Sequence, residues 1–405
     1  MTHQRDITLL FSTRIIRLFC YGFLSVVLAL YLAETGFDEK LIGLLFTLTL
    51  AGDAGITLWL TTHADQLGRK KTLLIGALLM FGAGAVFVVT HNIILLMAAA
   101  IIGVISPSGN EIGPFLSVEQ AGLTQLIPNE KRTKIFAWYN MVGSFATATG
   151  ALAGGWLAKI LQSSGWTQLE SYRLVLMGYG LGGIILVILF LGVSPAIEVT
   201  GTTTQKKTLG LHRSRKVVFK LSSLFALDAF AGGLVVQSMI AYWFHVKFNV
   251  DSGILGSIFF GANVLAGISA LLAVPLAAKI GLINTMVFTH IPSNILLMLV
   301  PLMPNLPLAI GLLLVRFSIS QMDVPTRQSY TMAVVAPDER SAASGVTAIA
   351  RSVGASMSPM LTGFFFSVPM FFNAPLFLAG GLKIIYDLLL YREFRSVKPP
   401  EESAK

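Results

Sequence analysis

Residues 67–90 read LGRKKTLLIGALLMFGAGAVFVVT: a glycine, three consecutive cations (Arg69, Lys70, Lys71), then no charged side chain from Thr72 to Thr90. A hydrocarbon slab of about 30 Å takes about 20 apolar residues of helix. The stretch therefore reads as one membrane span whose basic end is held at a membrane face. Candidate spans lie near 8–33, 41–61, 72–90, 93–124, 133–160 and 172–194, and again near 217–244, 254–276, 283–303, 307–333, 341–368 and 374–391. The runs are too long for barrel strands and lack strict alternation. The first carries Arg14 and Arg17 with no A-x-A site after it, so it reads as a retained span rather than a cleaved leader. The expected fold is all-α and integral to the membrane, with twelve transmembrane helices.

Composition supports that reading across the 405 residues. Apolar types and Cys make up 54% before the 38 Gly are counted, and only 12% are charged. Soluble domains carry about 25% charged residues, so there is too little polar surface here to coat one. The net charge of +9 has to be located before it is interpreted. With a cytoplasmic N-terminus, the inner loops hold Arg69, Lys70, Lys71, Lys131, Arg132, Lys134, Lys206, Lys207, Arg213, Arg215, Lys216 and Lys220, then Lys279, Arg340, Arg392, Arg395 and Lys398. The opposite side keeps Lys40, Lys159, Arg173 and Lys247. Both termini are accordingly expected inside a cell membrane, with the bilayer as partner and nucleic acid excluded. The lone Cys20 allows no disulfide, and the six His show no ligand spacing, so no metal or cofactor is expected.

The chain also matches itself at half its length. Gly22 and Tyr31 recur as Gly233 and Tyr242, Asp38 and Gly43 as Asp251 and Gly256, Gly68 as Gly281, Pro128 as Pro337, and Gly154 as Gly363, all at offsets of 209–213. The implied domains are a six-helix bundle over 1–194, a linker over 195–216, a second bundle over 217–391, and a tail over 392–405. Parallel repeats of this kind build rocking transporters, with the substrate site at mid-membrane where the halves meet.

These residues resemble the major facilitator superfamily along almost the whole chain. Its loop signature G-x-x-x-D-[R/K]-x-G-[R/K]-[R/K] is matched at Asp65, Gly68, Arg69 and Lys70, with Thr61 in place of the first Gly and Gln66 in place of a base. The resemblance implies that Asp65 latches the two halves in one state, that helices 1, 4, 7 and 10 line the cavity, and that the protein acts as a monomer. Gly143, Gly150, Gly154 and Gly155 in GSFATATGALAGG resemble the glycine-rich motif of exporters, with Ala151 in place of Pro. Close packing of small residues is the other reading of that stretch.

Charges inside spans cost about 2.5–3.5 kcal/mol each on insertion scales, so each needs a reason. Arg14, Arg17, Tyr21 and Ser25 recur at steps of 3, 4 and 4; Arg316, Ser320, Asp323 and Arg327 recur at 4, 3 and 4. Each set forms one polar stripe. The expected substrate cavity comprises Arg14, Arg17, Tyr21, Asn110, Glu111, Asp228, Arg316, Ser320 and Asp323. Arg17 is expected to pair with Asp53 or Asp228. Glu111 lies in PSGNEIGPF, where two prolines and two glycines predict a kinked or unwound helix. Glu111, Asp53 and Asp323 are the candidate proton carriers, and Arg351 is grouped with the gating residues Asp65, Gly68, Arg69 and Lys70. Lys383 and Asp387 are expected to snorkel from a lipid-facing helix, and His290 to be a hydrogen-bonded packing residue.

No D-D-x-x-D motif, His cluster or nucleotide loop supports an enzyme or a nucleotide-driven pump. The expectation is a secondary transporter that moves a small organic solute by alternating access, coupled to protons, with export favoured by the glycine motif. An uncoupled facilitator, an importer and a non-transporting receptor or scaffold of the same fold are the alternatives.

Overall fold

A backbone without water must satisfy its own polar groups, and a helix does so within one segment. The computed structural model describes residues 2–198, 212–336 and 339–397, with the side chains of Thr2, Asp65, residues 129–134, Ala137 and Ser341 outside that description. Among the described residues are seventeen α-helices and no strand. They form twelve spans. The first is α1 (Thr2–Ser25) with α2 (Leu28–Glu34), followed by α3 (Glu39–Leu67) and α4 (Arg69–Val89). The fourth is α5 (Ile93–Ile102) with α6 (Phe115–Leu126), then come α7 (Asn129–Ser163) and α8 (Gln168–Gly192). The seventh pairs α9 (Arg215–Gly233) with α10 (Gln237–Phe248), before α11 (Ser252–Ile280) and α12 (Leu282–Leu299). The last three are α13 (Leu306–Phe317) with α14 (Asp323–Ala333), α15 (Arg340–Met357) with α16 (Pro359–Phe366), and α17 (Ala374–Phe394).

Eight of the twelve are long and apolar enough to cross a bilayer by length and composition alone. The other four are the fourth, fifth, tenth and eleventh; the fourth and tenth contribute the shorter apolar helices Ile93–Ile102 and Leu306–Phe317. Helix starts follow local chemistry. Asp38 accepts from the Leu41 amide, Asn92 from Ile94 and Leu95, and Asn305 from Leu308, while Thr167 and Glu170 close a reciprocal capping box.

The fourth span is broken, as its prolines and glycines predict, and so are the first, seventh, tenth and eleventh, whose breaks the sequence does not predict. The first and seventh, and the fourth and tenth, make two pairs of repeat equivalents. Discontinuous helices leave backbone groups free, which a membrane protein tolerates only against protein or water.

By contacts the chain divides into two units, Met1–Thr203 with Val236–Phe260, and Thr204–Val235 with Gly261–Lys405. In the first, α1 runs against α7 through small residues. A Cβ built on Gly150 would lie 2.0 Å from the Phe19 carbonyl oxygen, and one on Gly154 2.1 Å from that of Phe23. Those glycines are therefore contact points between backbones. In the second, α9 packs on α15 and α17 around Leu221, Phe225, Met286, Tyr330, Tyr386 and Leu390.

Candidate functional site

The fourth span unwinds between α5 and α6, where Pro107 and Pro114 lack an amide hydrogen and Gly109 and Gly113 take φ of 69° and 76°. The freed backbone groups are met by side chains of the first unit. The Gly113 amide donates to Asp53 Oδ1 at 2.7 Å, and Tyr21 donates to the Ile112 carbonyl at 3.5 Å. Tyr179 donates to the Val104 carbonyl, and Ser238 to that of Pro107 at 2.7 Å. Gln237 Nε2 donates to Ser25 Oγ at 2.7 Å, and Ser238 Oγ to the Ser25 carbonyl at 2.6 Å. Within the first unit, Ser25, Pro107 and the α10 residues Gln237 and Ser238 thus meet in one polar knot.

Inward along α1, the arginines form an ionic cluster. Arg14 Nη1 lies 2.6 Å from Glu111 Oε2, and Arg17 Nε 2.7 Å from Glu111 Oε1. Arg17 also grips Glu119 with two donors, at 2.8 and 2.7 Å. Glu119 further accepts from Thr13 at 2.8 Å and from the Tyr139 hydroxyl. The Arg17 and Glu119 side chains are 0% exposed, so this fork-to-fork pair is fully desolvated. Arg14 completes its donors on the Tyr139 carbonyl at 2.8 Å and Asn140 Oδ1 at 3.2 Å. The expected Arg17 pairing is corrected here, because both its faces are taken by Glu111 and Glu119. Asp53 accepts only from neutral donors, the Gly113 amide and Thr57 Oγ1 at 3.2 Å. No cation pairs with it among the described residues. Asn110 is exposed, with its carbonyl accepting from Ser106 at 2.8 Å.

The second unit mirrors this with the signs reversed. Asp228, at the position repeat-equivalent to Arg17, is the hub. It takes Lys383 Nζ at 2.5 Å, Arg327 Nη1 at 3.1 Å and Arg351 Nη1 at 3.3 Å. Arg327 Nη1 also meets Asp323 Oδ2 at 2.9 Å. Behind them, Asp387 lies 2.9 Å from His290 Nδ1 and accepts from Asn294 at 3.3 Å. Lys383 and Asp387 are therefore buried, the one on Asp228 and the other on His290, which overturns the expectation that they snorkel from a lipid-facing helix toward the cytoplasm. In the structure the buried positions Leu376, Ala379, Lys383, Tyr386, Asp387 and Leu390 share one face of α17 at helical spacing. His290 is the hydrogen-bonded packing residue the sequence suggests. Ser320 donates to the Phe317 carbonyl at 3.4 Å. Arg316 stands apart: its Nε is buried without a hydrogen-bond partner, and its guanidinium rests over the Phe317 ring, 4.8 Å from the centroid.

At the Gly68 turn, φ is 96°. The side chain of Asp65 lies outside the described residues. Glu198 accepts from the amides of Arg69 at 2.7 Å and Lys70 at 3.0 Å, so a carboxylate caps the positive end of α4. Arg69 Nη1 donates to the Ile197 carbonyl at 3.0 Å, and Lys70 Nζ to those of Leu191 and Val193 at 2.8 Å each. Sequence reading passed over Glu198, which the linker reading had absorbed. In the second unit Glu339 accepts from the amides of His212, Arg213 and Ser214 just ahead of α9.

The sequence profile described as Major Facilitator Superfamily matches residues 10–359. The chain is 31% identical to an uncharacterized membrane protein, YJR124C, of Saccharomyces cerevisiae, over 97% of this chain and 95% of that one. Among solved structures it is similar to a bacterial homolog of the human lysosomal transporter Spinster, with a TM-score of 0.76 at 15% identity over 97% of each chain. A D-xylose–proton symporter superposes with a TM-score of 0.75 at 15% identity, over 98% of this chain and 99% of that one. At such identity the two structures speak to the fold.

Proposed function

This chain belongs to the Major Facilitator Superfamily, and from that premise we propose that it is a proton-coupled secondary transporter moving a small organic solute by alternating access. Its fold is that of membrane transporters. Proton coupling is supported by one observation above the rest. Among the three candidate carriers, Glu111 is gripped by two arginines and Asp323 by Arg327, while Asp53 is held by an amide and a hydroxyl alone. An acid fixed to a guanidinium keeps its charge, because neutralising it would strand the cation. An acid held by neutral donors is free to exchange its charge for a proton. Glu111, in the same unwound stretch as Gly113, is itself paired with Arg14 and Arg17. Asp53 also sits at the one amide of the unwound stretch that it bonds, so its protonation state bears on the geometry of the break.

The basic loops support placing both termini on the cytoplasmic face, and the α7 glycines resemble those of exporters. The test uses purified protein in proteoliposomes. Asp53→Asn should abolish accumulation driven by an imposed pH gradient while sparing solute exchange at equal pH. Undiminished accumulation in that variant would remove Asp53 from the coupling step, and with it the proton reading.

A further inference from the structure

The charges inside the spans do not balance unit by unit. The first unit holds Arg14 and Arg17 against Asp53, Glu111 and Glu119, an excess of one acid that falls on Asp53. The second holds Arg316, Arg327, Arg351 and Lys383 against Asp228, Asp323 and Asp387. Its excess is one base. Three of the four bases converge on Asp228, and the surplus falls on Arg316, which has no acidic partner among the described residues and leaves its Nε unsatisfied. Arginine stays charged under all ordinary conditions, so Arg316 cannot shed its charge as a lysine or carboxyl could. A ring beneath it offers attraction but no hydrogen-bond acceptor in the guanidinium plane. What fits is an acceptor that arrives from outside the chain, planar and anionic, able to take parallel N–H donors.

A second feature of the same unit is the exposed face of α15. On α15 two stripes are exposed. One is apolar, Ile349, Val353 and Met357, as a lipid-facing stripe should be. Beside it, one residue earlier in each turn, runs a row of small residues, Ser344, Ala348 and Ser352, also exposed, with Arg351 at its edge. The Arg351 side chain is 36% exposed and has one bond, at 3.3 Å, to a carboxylate already holding two other cations. Its other donors are open. Arg351 is partly exposed beside this row, and a charged group at membrane depth is held against protein or water rather than lipid.

We propose that the second unit contains a binding site for an organic anion anchored by Arg316, and that the transported solute is of this class. The assignment rests on the transport reading and adds the substrate's charge to it. An anion on Arg316 brings the second unit to neutrality, as a proton on Asp53 does the first. Loading both adds no net charge to the protein, so the step of the cycle that carries them should be insensitive to membrane voltage for a monovalent anion.

The test pairs charged probes with neutral isosteres. Detergent-purified full chain is titrated with benzoate, hexanoate, succinate and benzenesulfonate, each beside its amide or sulfonamide, and thermal unfolding is followed. At least one anion should stabilise the protein saturably where its amide does not. Arg316→Gln should weaken that binding about ten- to hundredfold, the range of a charge-assisted hydrogen bond. Arg316→Lys should recover part of it, and the midpoint without ligand should show that both variants are folded. The proposal is overturned if no anion shifts the midpoint, if amides bind as well as acids, or if Arg316→Gln binds the anion unchanged. Proteoliposome flux separates the two readings. Saturable flux of neutral or cationic solutes alone keeps transport and ends the anion assignment. Anion binding lost in Arg316→Gln, but without flux of any solute, keeps the site and ends transport.

Discussion

Arg17 shows how one side chain organises half the molecule. Its guanidinium is wholly buried, holds Glu119 with two bonds and shares Glu111 with Arg14. Removing one member of a buried pair strands the other charge, which costs about 3–5 kcal/mol, whereas removing both is close to neutral. Arg17→Met should therefore lower the unfolding temperature of the purified protein strongly, and adding Glu119→Gln should restore most of the loss. Equal midpoints for the single variant and wild type would show that the pair contributes nothing. The stripe to which Arg17 belongs was legible in the 3, 4, 4 spacing of α1, but its partner was not. Which acid meets Arg17 depends on how the chain turns between α5 and α6, and that turn is set by φ at Gly109 and Gly113 rather than by helical periodicity.

Among the elements, α1 and α7 make the tightest contact to argue from. At Gly150 a side chain has no room, since its Cβ would sit 2.0 Å from a carbonyl oxygen. Gly150→Leu should force the helices apart and destabilise the protein by at least the ~1–3 kcal/mol usual for overpacking; a wild-type midpoint in a thermal melt would contradict that packing. The cap ahead of α9 gives a pH signature. The Ser214 hydroxyl, joined by the amides of His212, Ser214 and Arg213, holds the Glu339 carboxyl down to about 2, below the usual value for glutamate of about 4.3. A carboxyl lowered on folding stabilises the fold in full above its unfolded pKa and loses that contribution as pH falls through the folded one. The difference in midpoint between wild type and Glu339→Gln should be constant above about pH 5 and shrink as pH approaches 2. A difference that does not change with pH would contradict the cap. At this scale the sequence marks the spans well and their inward faces poorly. α17 is the clearest case: lipid and neighbouring helices are equally apolar, so nothing in its hydropathy says which side carries Lys383 and Asp387 into the protein.

For the whole molecule, the repeat is the organising fact. It was readable from paired glycines, tyrosines and prolines at one offset, and it extends to chemistry. Arg17 and Asp228 are equivalent positions 211 residues apart, and each is the hub of a buried cluster of the opposite charge. The helix breaks follow the same pairing, first with seventh and fourth with tenth. Breaks and buried charges cost stability without helping the chain cross a bilayer, and a purely structural bundle would have no use for them. They suit a protein that exchanges one set of polar contacts for another as a solute and a proton pass. The measurement that bears on this most directly is lumenal pH in proteoliposomes of the full-length protein, recorded with an entrapped dye while solutes are added outside. The prediction is a saturable, solute-dependent pH change that vanishes in Asp53→Asn and in protein-free vesicles. A lumen whose pH no solute alters beyond the protein-free control would contradict it.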